Sequence, residues 1–149
     1  MKRNYLFLII ATSIIVFYNC GNGKDQSKKL INDINTVCYR AISKKDTGWL
    51  QIDTARMQIG CLKFHYSNGK KYEGEFKGQL HGDTLKGYFD LKIRKNGIWY
   101  RNPVAFLKAN GKLIMGVGVF FTPQWGSPYF DPSVPIDYNA GRFVFEIVD

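Results

Sequence analysis

Three Asn-Gly dipeptides beyond residue 60, Asn68-Gly69, Asn96-Gly97 and Asn110-Gly111, each separate two runs in which apolar and polar side chains alternate. Asn-Gly accepts the positive φ angles of a type I′ turn, whose twist matches that of two paired antiparallel strands. Alternation with period two sends one row of side chains to a core and the other to water. A chain built this way is directed to hairpins. The pattern predicts strands over 36–42, 49–52, 57–66, 72–79, 84–95, 98–108, 112–121 and 142–148. Lys28 to Asn35 has room for one short helical turn, and long helical patterns are absent. The expected fold class is all-β: an antiparallel up-and-down meander of about eight strands, closed into a small barrel or left as a strongly curled sheet. Gly74, Gly78, Gly87, Gly116 and Gly118 suit bulges and tight corners in such a sheet.

One segment breaks the alternation. Residues 121–141 hold four of the five Pro, Trp125 and several other aromatics. Connections this long are uncommon and often functional. The segment is too aromatic for a disordered linker, so an ordered loop packed over one end of the sheet is expected.

The N-terminal twenty residues carry a different signal. Lys2-Arg3 precede an apolar stretch from Leu6 to Phe17, then Tyr18-Asn19 and Cys20. The stretch is shorter than the ~20 residues a spanning helix needs and has the length of an export-signal core. The layout resembles a bacterial lipoprotein signal, although Phe17, Tyr18 and Asn19 replace the Leu and small residues usual before the modified Cys. An uncleaved anchor or an unlipidated exported protein are the alternatives. The expected organisation is a signal peptide at 1–19, a lipidated Cys20 with a polar tether at 20–35, and one β-domain at 36–149. Acyl chains on Cys20 would give a membrane anchor. Gly rather than Asp at position 21 resembles an outer-membrane resident.

The chain has 21 basic and 12 acidic residues. The basic residues are scattered, with no run longer than a Lys pair in the β-domain, which argues against nucleic acid as a partner. Anionic lipid heads or polysaccharide suit such a surface. Cys38 and Cys61 fall on the first and third strands. They are two separate thiols if the strands are not neighbours, and a disulfide if their Cα atoms come within about 4.4–6.8 Å.

Tyr72-Glu73-Gly74-Glu75-Phe76 with His81-Gly82 resembles one membrane-occupation-and-recognition-nexus (MORN) repeat. There is no second copy, and such units need about three to be stable. A broader resemblance covers residues 36–121: the Cys-Tyr strand, Trp49-Leu50-Gln51-Ile52, Gly82-Asp83-Thr84-Leu85, Val104-Ala105-Phe106-Leu107-Lys108 and Gly116-Val117-Gly118. In that order they are similar to a group of small, uncharacterised outer-membrane lipoproteins of anaerobic Gram-negative bacteria. The resemblance implies a cell-envelope address and a β-meander. It implies no activity.

No motif gives a catalytic or metal-binding spacing. His65 and His81 are sixteen residues apart, and no Cys-x-x-Cys, His-x-x-x-His, Gly-x-Ser-x-Gly or phosphate loop is present. Asp83 and Asp90 are the one carboxylate pair to consider for glycoside hydrolysis, and Asp83 reads as a turn residue. No cofactor is implied. The candidate binding residues are Trp125, Tyr129, Phe130 and Tyr138, whose rings could stack on a ligand or plug the barrel. The reading is a non-catalytic envelope domain that binds a glycan, lipid or protein. The alternatives are an accessory or inhibitor-like domain that binds only protein, and an envelope-polymer hydrolase.

Overall fold

In a computed structural model, which describes residues 35–53, 59–92 and 97–148, the alternation becomes an eight-stranded closed barrel. The leader, Cys20 and the tether lie outside the described residues. The wall is formed by β1 (Thr36–Ser43), β2 (Asp46–Asp53), β3 (Ile59–His65), β4 (Lys71–His81), β5 (Thr84–Lys92), β6 (Trp99–Ala109), β7 (Lys112–Met115) and β10 (Val144–Val148). β8 (Phe120–Phe121) and β9 (Tyr129–Phe130) form a separate two-stranded ribbon in the long connection. Each strand through β7 pairs antiparallel with the next, and β10 closes the ring between β7 and β1. The up-and-down meander expected from sequence is therefore the observed fold, in its closed form.

The turns follow local chemistry. Asn110 and Gly111 both take positive φ, 50° and 75°, as a two-residue type I′ turn requires. Asn68-Gly69 differs. The Gly69 amide donates to the Tyr66 carbonyl and only Gly69 is left-handed, so this is a longer loop ending in a left-handed Gly. β2 starts at Asp46, ahead of the Trp49 start that the pattern predicts, which leaves Lys44-Lys45 as the connection.

The inward rows of all eight strands converge on one apolar cluster. Leu50, Ile52, Leu62, Leu85 and Leu113 surround a stack of Phe rings. Phe76 meets Phe106 edge-on at 5.8 Å, and Phe106 meets Phe145 at 5.6 Å. Edge-to-face contacts of this kind suit the ring quadrupoles. Room for them comes from Gly48, where an added Cβ would lie 2.9 Å from the Phe145 ring. The barrel interior is thus occupied by side chains, and sites of recognition belong on its outside.

β7 is shorter than the sequence pattern predicts. It ends at Met115, and the Gly116 amide adds one last ladder bond to the Ala105 carbonyl. The next β6 residue with backbone groups on that side is Pro103, which has no N–H to donate. The chain then leaves the wall. It does not cap an end of the barrel as expected. It lies along the outer surface of β5 and β6, where it approaches Lys86, Tyr88 and Pro103. Ala105, on the outward row, is accordingly 0% exposed.

Candidate functional site

The loop from Gly116 to Gly141 makes this flank chemically unlike the rest of the molecule. No Lys or Arg occurs between Lys112 and Arg142, in a chain of net charge +9. The ribbon β8–β9 pairs Phe120 with Phe130 and Phe121 with Tyr129. An isolated bridge joins Val117 to Asp137. Val117, Val119, Phe121 and Tyr129 are all exposed, and strand alternation puts them on one face.

The four sequence-predicted aromatics divide into separate roles. Trp125 is 86% exposed at the loop tip. Tyr129 and Phe130 line a groove of about 390 Å³ with Pro132, Pro135 and the barrel residues Tyr88 and Pro103. Phe130 also rests on Gly118, where an added Cβ would be 2.7 Å from its ring. Tyr138 packs in the same way on Gly116, at 2.8 Å. Phe130 and Tyr138 therefore hold the loop in place, while Trp125 and Tyr129 present surface to solvent.

A second groove, of about 340 Å³, opens where the loop tip meets the start of β6. Its floor is Arg101, which outward alternation sets beside Asp90 on β5. Arg101 Nε and Nη2 donate to Asp90 Oδ1 and Oδ2, both at 2.6 Å. Arg101 Nη1 donates to Ser127 Oγ at 3.1 Å. The guanidinium carbon also lies 5.1 Å from the centre of the Tyr88 ring. The Asp90 carboxylate raises the Arg101 pKa, so the guanidinium stays charged. Trp99 forms one wall and Gly126 to Pro128 the other, while Tyr100 borders the groove from the inward row of β6. Trp99 is 65% exposed. Sequence reasoning did not select Trp99, Tyr100, Arg101 or Ser127. The signal was present in the period-two pattern, which puts Trp99 and Arg101 on the outward row of β6.

The remaining candidates are not brought together. Asp83 sits in the β4–β5 turn and Asp90 seven residues along β5, a separation of roughly 23 Å at the rise of a strand. That is far beyond the spacing of two glycosidase carboxylates. His81 ends β4, while His65 ends β3 against the edge of Trp49 at 4.7 Å. Cys38 and Cys61 are both free. Each pairs with Gln51, so β2 lies between them and the Cys38–Cys61 disulfide does not form. Burial raises the Cys61 pKa and keeps its thiol protonated. Among the described residues no group of three or more His, Cys, Asp or Glu side chains could hold a metal ion.

Comparison with family models, with curated proteins and with solved structures finds no significant match to this chain.

Proposed function

We propose that this chain is an exported, lipid-anchored cell-envelope protein whose β-barrel is a non-catalytic binding module. The observation that carries the binding assignment is the aromatic loop without basic residues, laid along the outer wall with a groove on each side of Tyr88. The interior is packed with Phe and Leu, which supports recognition at this outer face. Carboxylates of the domain are engaged in ion pairs: Asp90 with Arg101, Asp46 with Arg142, Glu146 with Lys112, Glu73 with Lys63 and Glu75 with Lys77. The anchor and the outer-membrane address rest on Lys2-Arg3, the apolar core and Cys20.

A protein partner is the second reading, favoured by the exposed face of Val117, Val119, Phe121 and Tyr129. Contiguous apolar patches of this kind often mark interaction sites. Two experiments test the proposal. Expression with the native leader should give a membrane-associated product with acyl chains by intact mass, and Cys20→Ser should abolish the acylation. A thermal-shift screen against envelope glycans, lipids and membrane extracts should then find ligands whose effect is lost in Trp125→Ala or Tyr129→Ala. Stabilisation equal in all forms would exclude the loop as the binding face.

A further inference from the structure

We infer that the groove between Trp99–Arg101 and Gly126–Pro128 is a subsite for a neutral saccharide. The inference rests on the binding-module reading and names the ligand class for one part of that face. Three properties of the groove lead to it.

The first is its charge. Asp90 and Arg101 satisfy each other through two parallel hydrogen bonds, so the ion pair carries no net charge. Among the described side chains no other ionisable acid or base lines the groove apart from the Tyr100 phenol. An anionic ligand would find Arg101 already engaged, and a cation would find Asp90 engaged. Charge complementarity therefore favours an uncharged occupant.

The second is the supply of fixed polar atoms. Each Asp90 oxygen accepts one hydrogen bond from Arg101 and has capacity for another. Ser127 Oγ accepts from Arg101 Nη1, which leaves its own proton to donate. Acceptors fixed on β5 and a donor on the facing loop, both held by Arg101, match the vicinal hydroxyls of a sugar. The Asp90 side chain is only 13% exposed, so its orientation is set before any ligand arrives, which lowers the ordering cost of binding.

The third is the aromatic wall. Trp99, on the outward row with Arg101 and largely exposed, offers apolar ring surface beside those polar atoms. The axial C–H face of a pyranose needs an apolar plane, and its hydroxyl edge needs hydrogen bonds. Trp125 adjoins the lining residue Gly126 in the chain and is exposed. At about 340 Å³ the groove falls at the small end of ligand sites. It is open to solvent, so a chain longer than its own length can run through it.

The test is isothermal titration calorimetry on the full chain, extracted in a detergent without a sugar headgroup. The probes are hexasaccharides of β-1,4-glucose, α-1,4-glucose, β-1,3-glucose and β-1,4-N-acetylglucosamine, with hexagalacturonic acid as the anionic counterpart. At least one neutral probe should bind with a Kd of roughly 0.1–1 mM, and the anionic probe at least about tenfold more weakly. Trp99→Ala should weaken binding about tenfold or more, Ser127→Ala by about three- to tenfold, and Trp99→Phe by less than Trp99→Ala. Unchanged circular dichroism establishes that each variant is folded. Binding of no neutral probe overturns the inference, as does preference for the anionic one. Binding abolished by Tyr129→Ala but untouched by Trp99→Ala also overturns it and moves the ligand to the neighbouring groove, which keeps the broader reading. Binding that no loop or β6 variant changes overturns both.

Discussion

Asp46 and Arg142, 96 positions apart in sequence, form an ion pair at the end of the barrel where β1 turns into β2 and β10 begins. Asp46 is 6% exposed, and its Oδ1 accepts the Ser67 backbone amide at 2.7 Å. Arg142 lies over Tyr66 at 5.6 Å and Phe143 at 5.2 Å. One carboxylate thus joins three separate connections: the β1–β2 turn, the β3–β4 loop and the return of the long loop into β10.

Asp46→Asn should lower stability by about 1–3 kcal/mol, measured by urea unfolding. The variant keeps an acceptor for Ser67 but loses the charged partner of Arg142. Arg142 is half exposed, so water relieves part of the loss. A double-mutant cycle of Asp46→Ala with Arg142→Ala should show coupling of about 0.5–3 kcal/mol. Strictly additive effects would refute the link.

Gly48→Ala should destabilise by about 1–3 kcal/mol, because the new methyl group meets the Phe145 ring. Adding Phe145→Leu in the same chain should cost less than the two changes apart. Thermal midpoints of the three variants check this, and a neutral Gly48→Ala would mean that the ring moves aside freely.

How much of this was legible in the sequence follows from the same residues. The inward rows announced themselves through Leu and Phe at alternate positions, and an eight-stranded meander followed from them; its closure into a barrel, rather than a curled sheet, needs the β1–β10 pairing that no local pattern shows. The pattern starts the second strand at Trp49 and leaves Asp46 outside it, because a buried carboxylate on an inward row makes sense only once Arg142 has folded back beside it. The end of β7 was missed for another reason. Val117, Val119 and Phe121 continue the period-two pattern, yet they belong to a ribbon outside the wall. The warning lay on the neighbouring strand, where Pro103 leaves no donor for a continuing partner. Arg101 and Ser127 are 26 positions apart, and no local pattern links them.

Trp125→Ala should change stability by less than about 0.5 kcal/mol, since the side chain is almost fully in solvent. Phe130→Ala should cost about 1–3 kcal/mol, as it removes the ring that rests on Gly118. Equal effects from the two changes, by chemical denaturation, would contradict the division of the loop into a presented tip and a packed base.

Thiol reagents should modify Cys38 well before Cys61, followed by peptide mass mapping. Cys38 is exposed, whereas burial raises the Cys61 pKa and lowers its thiolate fraction. Burial raises the pKa of Tyr39 and Tyr66 as well. In each case the unfolded chain releases its proton at lower pH than the folded one. Stability from these groups is therefore complete below about pH 8 and declines as pH rises through about 8.5–10, the ordinary range for free Cys and Tyr. Unfolding midpoints that rise between pH 8 and pH 10 would contradict this.

β1 begins at the pole where β10 finishes, with Cys38 opposite Val148, and β6 begins at the other pole with Trp99. Both ends of the domain thus leave from the face farthest from the Trp99 rim. A molecule held by its N-terminus, whether on a biosensor chip or in a bilayer, is therefore attached through the pole opposite that rim, so the attachment itself leaves the rim uncovered.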